Sequence, residues 1–432
     1  MGRYSKQDEA QGLLNYINQA PTPYHSTDYL AALLNEAGAV RLAEHEAWGD
    51  ILPGIIYYFV RNDSALVAFR LGDQSPAEHG WRISVAHHDA PGFRIKPAGS
   101  STTGSYERLC VEPYGGLITQ SWLDRPLGLA GRVYVKSRYD EGISGININI
   151  QKPILTIPSL AIHFRKDKAE SQTLNPQTQL MPFLAQDWEG GKSFSAMIAE
   201  ESSVEEDEIL SYDLTPYELS PACLTGLSGE FISAPRLDDY AMVYSLFRGF
   251  IEASDISEVN SIAIAFDHEE CGSQTDRGGK SDLLGTILER ISEKLDFSRE
   301  EYARALANSI VASADMAHAT HPAFPEATEP DHLIYLNKGL VLKESAGQSY
   351  ITSPKASAFF RKMCEDHSIP FQVFSKRNDL RGGSTMGPML AARYGTLSMD
   401  VGSPLLSMHS IREMGGSLDV YYATEWFEAF NQ

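Results

Sequence analysis

Ser261-Ile262-Ala263-Ile264-Ala265-Phe266-Asp267-His268-Glu269-Glu270 is the stretch on which the reading of this chain turns. An uncharged run is followed at once by four titratable residues. A short apolar run of this kind suits a strand covered on both faces. Neighbouring side chains on a strand point to opposite faces, so two adjacent glutamates can act together only where the strand has ended. Cys271-Gly272-Ser273 follows and fits such an ending. In open α/β sheets, ligands bind beyond the carboxyl ends of the strands.

Working outward, helices and apolar strands alternate from about residue 234. The spacing predicts a helix over 237–253, a strand over 261–267, helices over 281–294 and 299–309, and a strand over 310–315. Helices follow over 354–367 and 384–393, then a strand over 395–401 and a closing helix over 417–431. This alternation predicts a buried, largely parallel sheet. Before it, residues 6–38 read as two helices separated by Pro21 and Pro23, with Ser26 as the N-cap of the second. Strand-like runs then cover Ile55 to Val60, Ala65 to Arg70 and Arg82 to His87. Residues 93–233 differ in texture: short β-type runs such as Gly131 to Lys136 and Leu160 to Phe164, a long loop over Lys166 to Pro182, and an acidic run from Glu200 to Glu208 that reads as a solvated face. The expected organisation is one α/β domain from 1–92 and 234–432, interrupted by a β-rich insertion over 93–233.

The chain has 432 residues, with 36 Lys+Arg against 57 Asp+Glu and a formal net charge of −21. That balance argues against nucleic acid and against an anionic membrane surface, both of which need a basic face. No apolar run approaches the roughly 18 residues of a membrane span, and the N-terminus shows no signal-peptide pattern. Cys110, Cys223, Cys271 and Cys364 are far apart and form no Cys-x-x-Cys pair. They imply a reducing compartment, the cytoplasm, and no cysteine-rich structural zinc.

Several familiar sites fail on one residue. Gly279-Lys280-Ser281 ends like a P-loop, but Gln274 stands where the first glycine belongs. Ser384 lacks the second glycine of a nucleophile elbow, because position 386 is Met386. His268-Glu269 lacks the second histidine of a zincin helix, because position 272 is Gly272.

What remains is a set of acid and histidine clusters, each beside an apolar run. They are His87-His88-Asp89, Asp238-Asp239 opening a helix, Asp267-His268-Glu269-Glu270, Asp315 after Ile310 to Ala312, and His409 in Met408-His409-Ser410. A pair of metal ions needs terminal His and carboxylate ligands, one bridging carboxylate, and a further carboxylate free to move protons. These clusters supply that list. In His-x-Asp, the aspartate can hold the far nitrogen of the histidine.

The segments VAHHDAPGFRIKP, EFISAPRLDDY, FDHEECGS, SADMAHATHP, GGSTMGP and DVGSPLLSMHSIREM together resemble the aspartyl aminopeptidase family of zinc metallopeptidases, in the same order from about residue 10 to the end. The resemblance implies an α/β fold, a mixed-sheet peptidase domain sandwiched by helices, with an inserted β-rich dimerisation domain. It implies two Zn2+ per subunit, with Co2+ or Mn2+ as substitutes. His87, Asp238 and Asp315 would bind one metal, and Asp238, Glu270 and His409 the other. Glu269 would be the general base, and Asp89 would orient His87. His163 would reach a neighbouring subunit's site, Lys343 would meet an acidic substrate side chain, and the loop at Gly383 would border the substrate pocket. The implied partners are peptides with a free N-terminus and further copies of the chain, in a homododecamer built from dimers. The alternatives are a neutral-residue aminopeptidase of the same family, a two-metal deacylase, and a shell-forming protein without activity. His88, His268, His318 and His321 are spare histidines whose simpler reading is local hydrogen bonding.

Overall fold

The computed structural model describes residues 5–137, 142–164, 173–186, 193–253, 258–380 and 382–432. Its main sheet has nine strands in the spatial order Val40–Arg41, Ile56–Arg61, Ala65–Arg70, Asn260–Phe266, Trp81–His87, Ile310–Ala314, Leu397–Gly402, Leu340–Lys343 and Phe371–Phe374. The four central strands, from Asn260–Phe266 to Leu397–Gly402, run parallel. Antiparallel pairings flank them on both sides, so the sheet is mixed.

The opening stretch forms a central strand buried along its whole length. Its side chains nevertheless sort by the period of two. Ala263 and Ala265 enter one core, and Ile262, Ile264 and Phe266 enter the other. Ala68, Ala86, Ala312 and Ala314 join the first face. That small-residue surface lets the helix Leu237–Glu252 lie close and fill the space with Tyr240, Met242, Val243 and Phe247. The second face is covered by Leu283–Lys294 and Gly387–Tyr394, through Leu284, Ile287, Ile291 and Leu390. Helices on both faces hide the sheet from water, as parallel strands require.

Register brings the acid clusters to one edge. Phe266 pairs with His87, and Ala314 pairs with Val401. His87, Asp267 and Asp315 therefore leave the sheet side by side.

The middle stretch builds two three-stranded sheets. One joins Leu127–Lys136 to Ile143–Leu155 and Ile209–Glu218; the other joins Gly92–Thr103, Tyr106–Tyr114 and Phe183–Gln186. Phe93, Leu109, Leu129, Ile148, Ile150 and Leu214 belong to its own apolar core, which Ile411 joins from the far end of the chain. Cys223–Thr225 and Phe231–Ala234 belong to another sheet, which continues through Glu413–Gly416.

Three local expectations are corrected. The second helix is Pro23–Glu36 with Thr22 as N-cap, because Pro23 fits the first turn, where its missing N–H costs nothing. Ser26 lies inside that helix, buried, with its hydroxyl on Tyr16 Oη and His88 Nδ1. Leu160 to Phe164 is no strand: Ile162–Phe164 is a 3-10 turn with exposed side chains. Part of the expected loop over Lys166 to Pro182 falls outside the described residues, and the described part includes the short helix Pro176–Gln179. The strands Leu340–Lys343 and Phe371–Phe374 had no counterpart in the sequence reading.

Candidate metal centre

Four elements end at one place. The strand Trp81–His87 delivers His87 with its last residue. The turn after Asn260–Phe266 presents Glu269 and Glu270, and Asp315 directly follows Ile310–Ala314. Asp238 stands in the first turn of Leu237–Glu252, after Arg236 in the left-handed region (φ 56°) and before a cis peptide bond to Asp239. His409 comes from the loop before Glu413–Gly416, with φ 67°.

Two groups of three ligand-type atoms share Asp238. His87, Asp238 and Asp315 form one; Asp238, Glu270 and His409 form the other. Within each group the atoms lie within 4.8 Å of one another. His87 Nε2 is 3.6 Å from Asp238 Oδ1, and His409 Nε2 is 3.4 Å from Asp238 Oδ2. His409 Nε2 is also 3.3 Å from Glu270 Oε1. A third group, His87 with Glu269 and Glu270, places Glu269 beside the same histidine.

The tautomers follow from the partners. His87 Nδ1 lies 3.1 Å from the Asp89 carbonyl oxygen, and His409 Nδ1 lies 2.6 Å from that of Gly116. A carbonyl can only accept, so each Nδ1 carries the proton and each Nε2 faces the carboxylates. Asp89 is buried and saturated: Oδ1 accepts from Glu269 N–H and Oδ2 from Glu270 N–H, each at 3.0 Å, and Oδ2 also accepts from Tyr114 Oη at 2.5 Å.

The electrostatics are those of crowded acids. Burial raises the Asp238 carboxyl, but the neighbouring His409 and His87 imidazoles outweigh it and hold the group below the ordinary range. Burial also dominates at Glu269; His87 opposes it, while Asp315 and Glu270 reinforce it, and the carboxyl is pushed up to about 8.

The donor set fits zinc. It consists of imidazole nitrogens and carboxylate oxygens, which zinc takes in hydrolytic sites. Asp238 Oδ1 and Asp239 Oδ1 are buried and accept no hydrogen bond among the described residues. Buried carboxylate oxygens of that kind are costly unless a cation meets them.

The family description "Aminopeptidase I zinc metalloprotease (M18)" matches residues 16–431. The chain belongs to the M18 aminopeptidase family. It is 40% identical over 425 residues to a probable M18 family aminopeptidase 2 of Clostridium novyi, covering 98% of each chain. Among solved structures it resembles a chain of the Ape4 and Nbr1 complex, with a TM-score of 0.94, 33% identity, and coverage of 100% of this chain and 87% of that one. It also resembles the mApe1 dodecamer of S. cerevisiae, with a TM-score of 0.87, 29% identity, and coverage of 99% and 97%. As an M18 member it is a metalloaminopeptidase, a hydrolase that releases N-terminal residues from peptides.

Of the expected site residues, His87, Asp89, Asp238, Glu269, Glu270, Asp315 and His409 converge in this M18 chain. Lys343 lies beside them but is buried, with Nζ 3.7 Å from Asp315 Oδ1. Gly383 is exposed in the loop before Gly387–Tyr394, with open space around its Cα. His163 is exposed on its 3-10 turn, and no described contact joins it to the cluster. His88 and His268 follow the local reading: His88 bonds Ser26 Oγ and the Ser64 carbonyl, and His268 bonds Thr275 Oγ1.

Two site residues escaped the sequence reading. Glu413 accepts from Asp238 N–H at 3.0 Å and from His409 N–H at 2.7 Å, bracing two ligand-type residues at once. Its place four residues after His409 was the available signal. Tyr114 touches Asp89, and nothing in its local sequence marks it. A cavity of about 310 Å³ is lined by His318, Glu329, Tyr350, Lys376, Arg377 and Met408, the last of which precedes His409 in the chain.

Proposed function

We propose that this enzyme removes N-terminal residues with two Zn2+ per subunit, with Co2+ or Mn2+ as substitutes, and that it prefers Asp or Glu. The observation that carries the two-metal reading is Asp238, shared by two His-carboxylate groups. His87, Asp238 and Asp315 hold one ion; Asp238, Glu270 and His409 hold the other. When bound, the pair polarises the scissile carbonyl and makes a water molecule more acidic.

The chain's own residues do the rest. Carboxylates of the cluster receive the substrate's free ammonium group. Asp89 keeps the His87 proton on Nδ1. Glu269 takes a proton from the attacking water as its oxygen bonds the carbonyl carbon. It then delivers a proton to the amide nitrogen as the C–N bond breaks. Lys376 and Arg377 line the 310 Å³ cavity, and Lys343 Nζ lies 5.5 Å from the ring centroid of Tyr350 in its wall; these cations support a preference for an acidic side chain there. His163 completes the pocket of a neighbouring subunit, and the Gly383 loop borders it.

Glu269→Gln should abolish turnover while zinc remains at the wild-type content. Retained activity in that variant sinks the assignment of the base. Aspartyl substrates should be cleaved faster than leucyl ones. One observation favours the neutral-residue alternative: Lys343 already has Asp315 as a partner. Faster leucyl cleavage would establish it.

The same reading divides the chain into a catalytic body, 1–92 and 234–432, and an inserted unit over 93–233. Within that unit, 223–233 dock onto the body through the sheet with Glu413–Gly416. The inserted unit pairs subunits into dimers, and dimers build a cytoplasmic homododecamer. The mApe1 dodecamer supports that assembly. Ile143, Ile162 and Phe164 support it too, being more than half exposed on the inserted unit.

A further inference from the structure

The three-residue turn Tyr114-Gly115-Gly116 ends the strand Tyr106–Tyr114 of the inserted stretch and crosses to the acid cluster of the α/β body. It touches the cluster at three points. Tyr114 Oη donates to Asp89 Oδ2 at 2.5 Å. The Gly116 carbonyl accepts from His409 Nδ1 at 2.6 Å. Gly115, at φ +69°, passes so close to Glu270 that a Cβ there would lie 3.1 Å from the Glu270 Cβ. Both histidines of the proposed ligand set are therefore oriented from one turn: His409 directly, and His87 through the Asp89 carboxylate, whose Oδ1 lies 3.3 Å from His87 Nδ1. Arg94 in turn stacks on the Tyr114 ring, 4.5 Å from its centroid, and lies 3.7 Å from Asp213 Oδ1.

We infer that this turn is a clamp that sets zinc affinity, with Tyr114 as a positioning residue. The inference rests on the two-metal reading above. Hydrogen-bond partners behind a metal-binding imidazole typically change affinity or activity by about 10–100-fold when removed. Without the Tyr114 hydroxyl, Asp89 keeps its two backbone donors but loses the one that ties it to the inserted stretch. The aspartate can then turn, and His87 with it. The effect falls on metal binding and on kcat, because no atom of Tyr114 is required to touch the substrate.

The test compares Tyr114→Phe with Tyr134→Phe in the full-length enzyme, stripped of metal and reloaded with zinc against a competing chelator. Tyr134 also links the inserted stretch to the body, through Asp63 Oδ2 at 3.0 Å, but away from the cluster. Tyr114→Phe should weaken zinc binding by about 10–100-fold and lower kcat with little change in KM, whereas Tyr134→Phe should leave zinc affinity at the wild-type value. Should Tyr114→Phe not fold, Gly115→Ala gives the second reading, since its Cβ must push the turn away from Glu270. Equal zinc affinity in wild type and in whichever of the two cluster variants folds overturns the clamp alone. An equal loss in the Tyr134 variant also overturns it, because docking of the inserted stretch would then suffice. A wild-type enzyme that binds no zinc through His87 overturns the two-metal reading and the clamp together.

Discussion

His25 shows what a single buried titratable group does to this chain. It sits in the first turns of Pro23–Glu36, half-buried, with Nδ1 2.8 Å from Thr22 Oγ1. Burial pulls its pKa down from 6.5 to about 4, against a smaller opposing pull from Asp28. The folded chain therefore holds His25 neutral where the unfolded chain would protonate it. The resulting stability is fully present above pH 6.5 and is lost as pH falls toward 4. His25→Gln cannot take up that proton. Its melting temperature should fall less steeply than wild type between these pH values, and parallel curves would refute the assignment. At this scale the ligand-type residues were legible because each follows an apolar run. The environment of Lys343 was not. Its burial against Asp315 depends on antiparallel pairing of its strand with Leu397–Gly402, which no local pattern announces.

The helix Leu237–Glu252 carries Asp238 and packs against the closing helix Ser417–Phe430. Gly249 lies directly against that helix. A Cβ there would lie 2.5 Å from Phe427 Cβ and 2.6 Å from Glu428 N. In an isolated helix, alanine would gain about 1 kcal/mol over glycine, but overpacking a tight contact costs about 1–3 kcal/mol. Gly249→Ala should therefore lower stability, by up to about 2 kcal/mol, as read from its urea midpoint. A raised midpoint would show that the two helices can separate freely. Long elements were legible, since their apolar spacing repeats over several turns or along a whole strand. Leu340–Lys343 and Phe371–Phe374 are four residues each, too short for any period to register. Ser26 misled because a serine before an apolar face has the look of an N-cap, while Pro23 had already started the helix.

The whole molecule carries a net charge of −21, and four of its 57 acidic residues, Asp238, Glu269, Glu270 and Asp315, stand in the metal-type groups. Assembly is the property that belongs to this scale. Light scattering of the purified enzyme should give the mass of a dodecamer, and Phe164→Asp, on the exposed turn, should shift it toward smaller species. A monomeric wild type would refute the proposed shell. The net charge argues against nucleic acid and anionic membranes as partners. Consistent with the absence of a long apolar run, no described helix is long and apolar enough to cross a membrane.

By itself the sequence determined the alternation of strands and helices, the family, and the positions of the acid and histidine clusters. Each of these is written in neighbouring residues. Only the tertiary structure decided how the clusters meet. His409 and Gly116 are 293 residues apart, and His87 and Asp239 are 152 apart, yet each pair is hydrogen-bonded. The sharing of Asp238, the fixed imidazole tautomers and the clamp at Tyr114 depend on such contacts. Distances and directions across the fold are set by sheet register and helix packing, which no local spacing encodes.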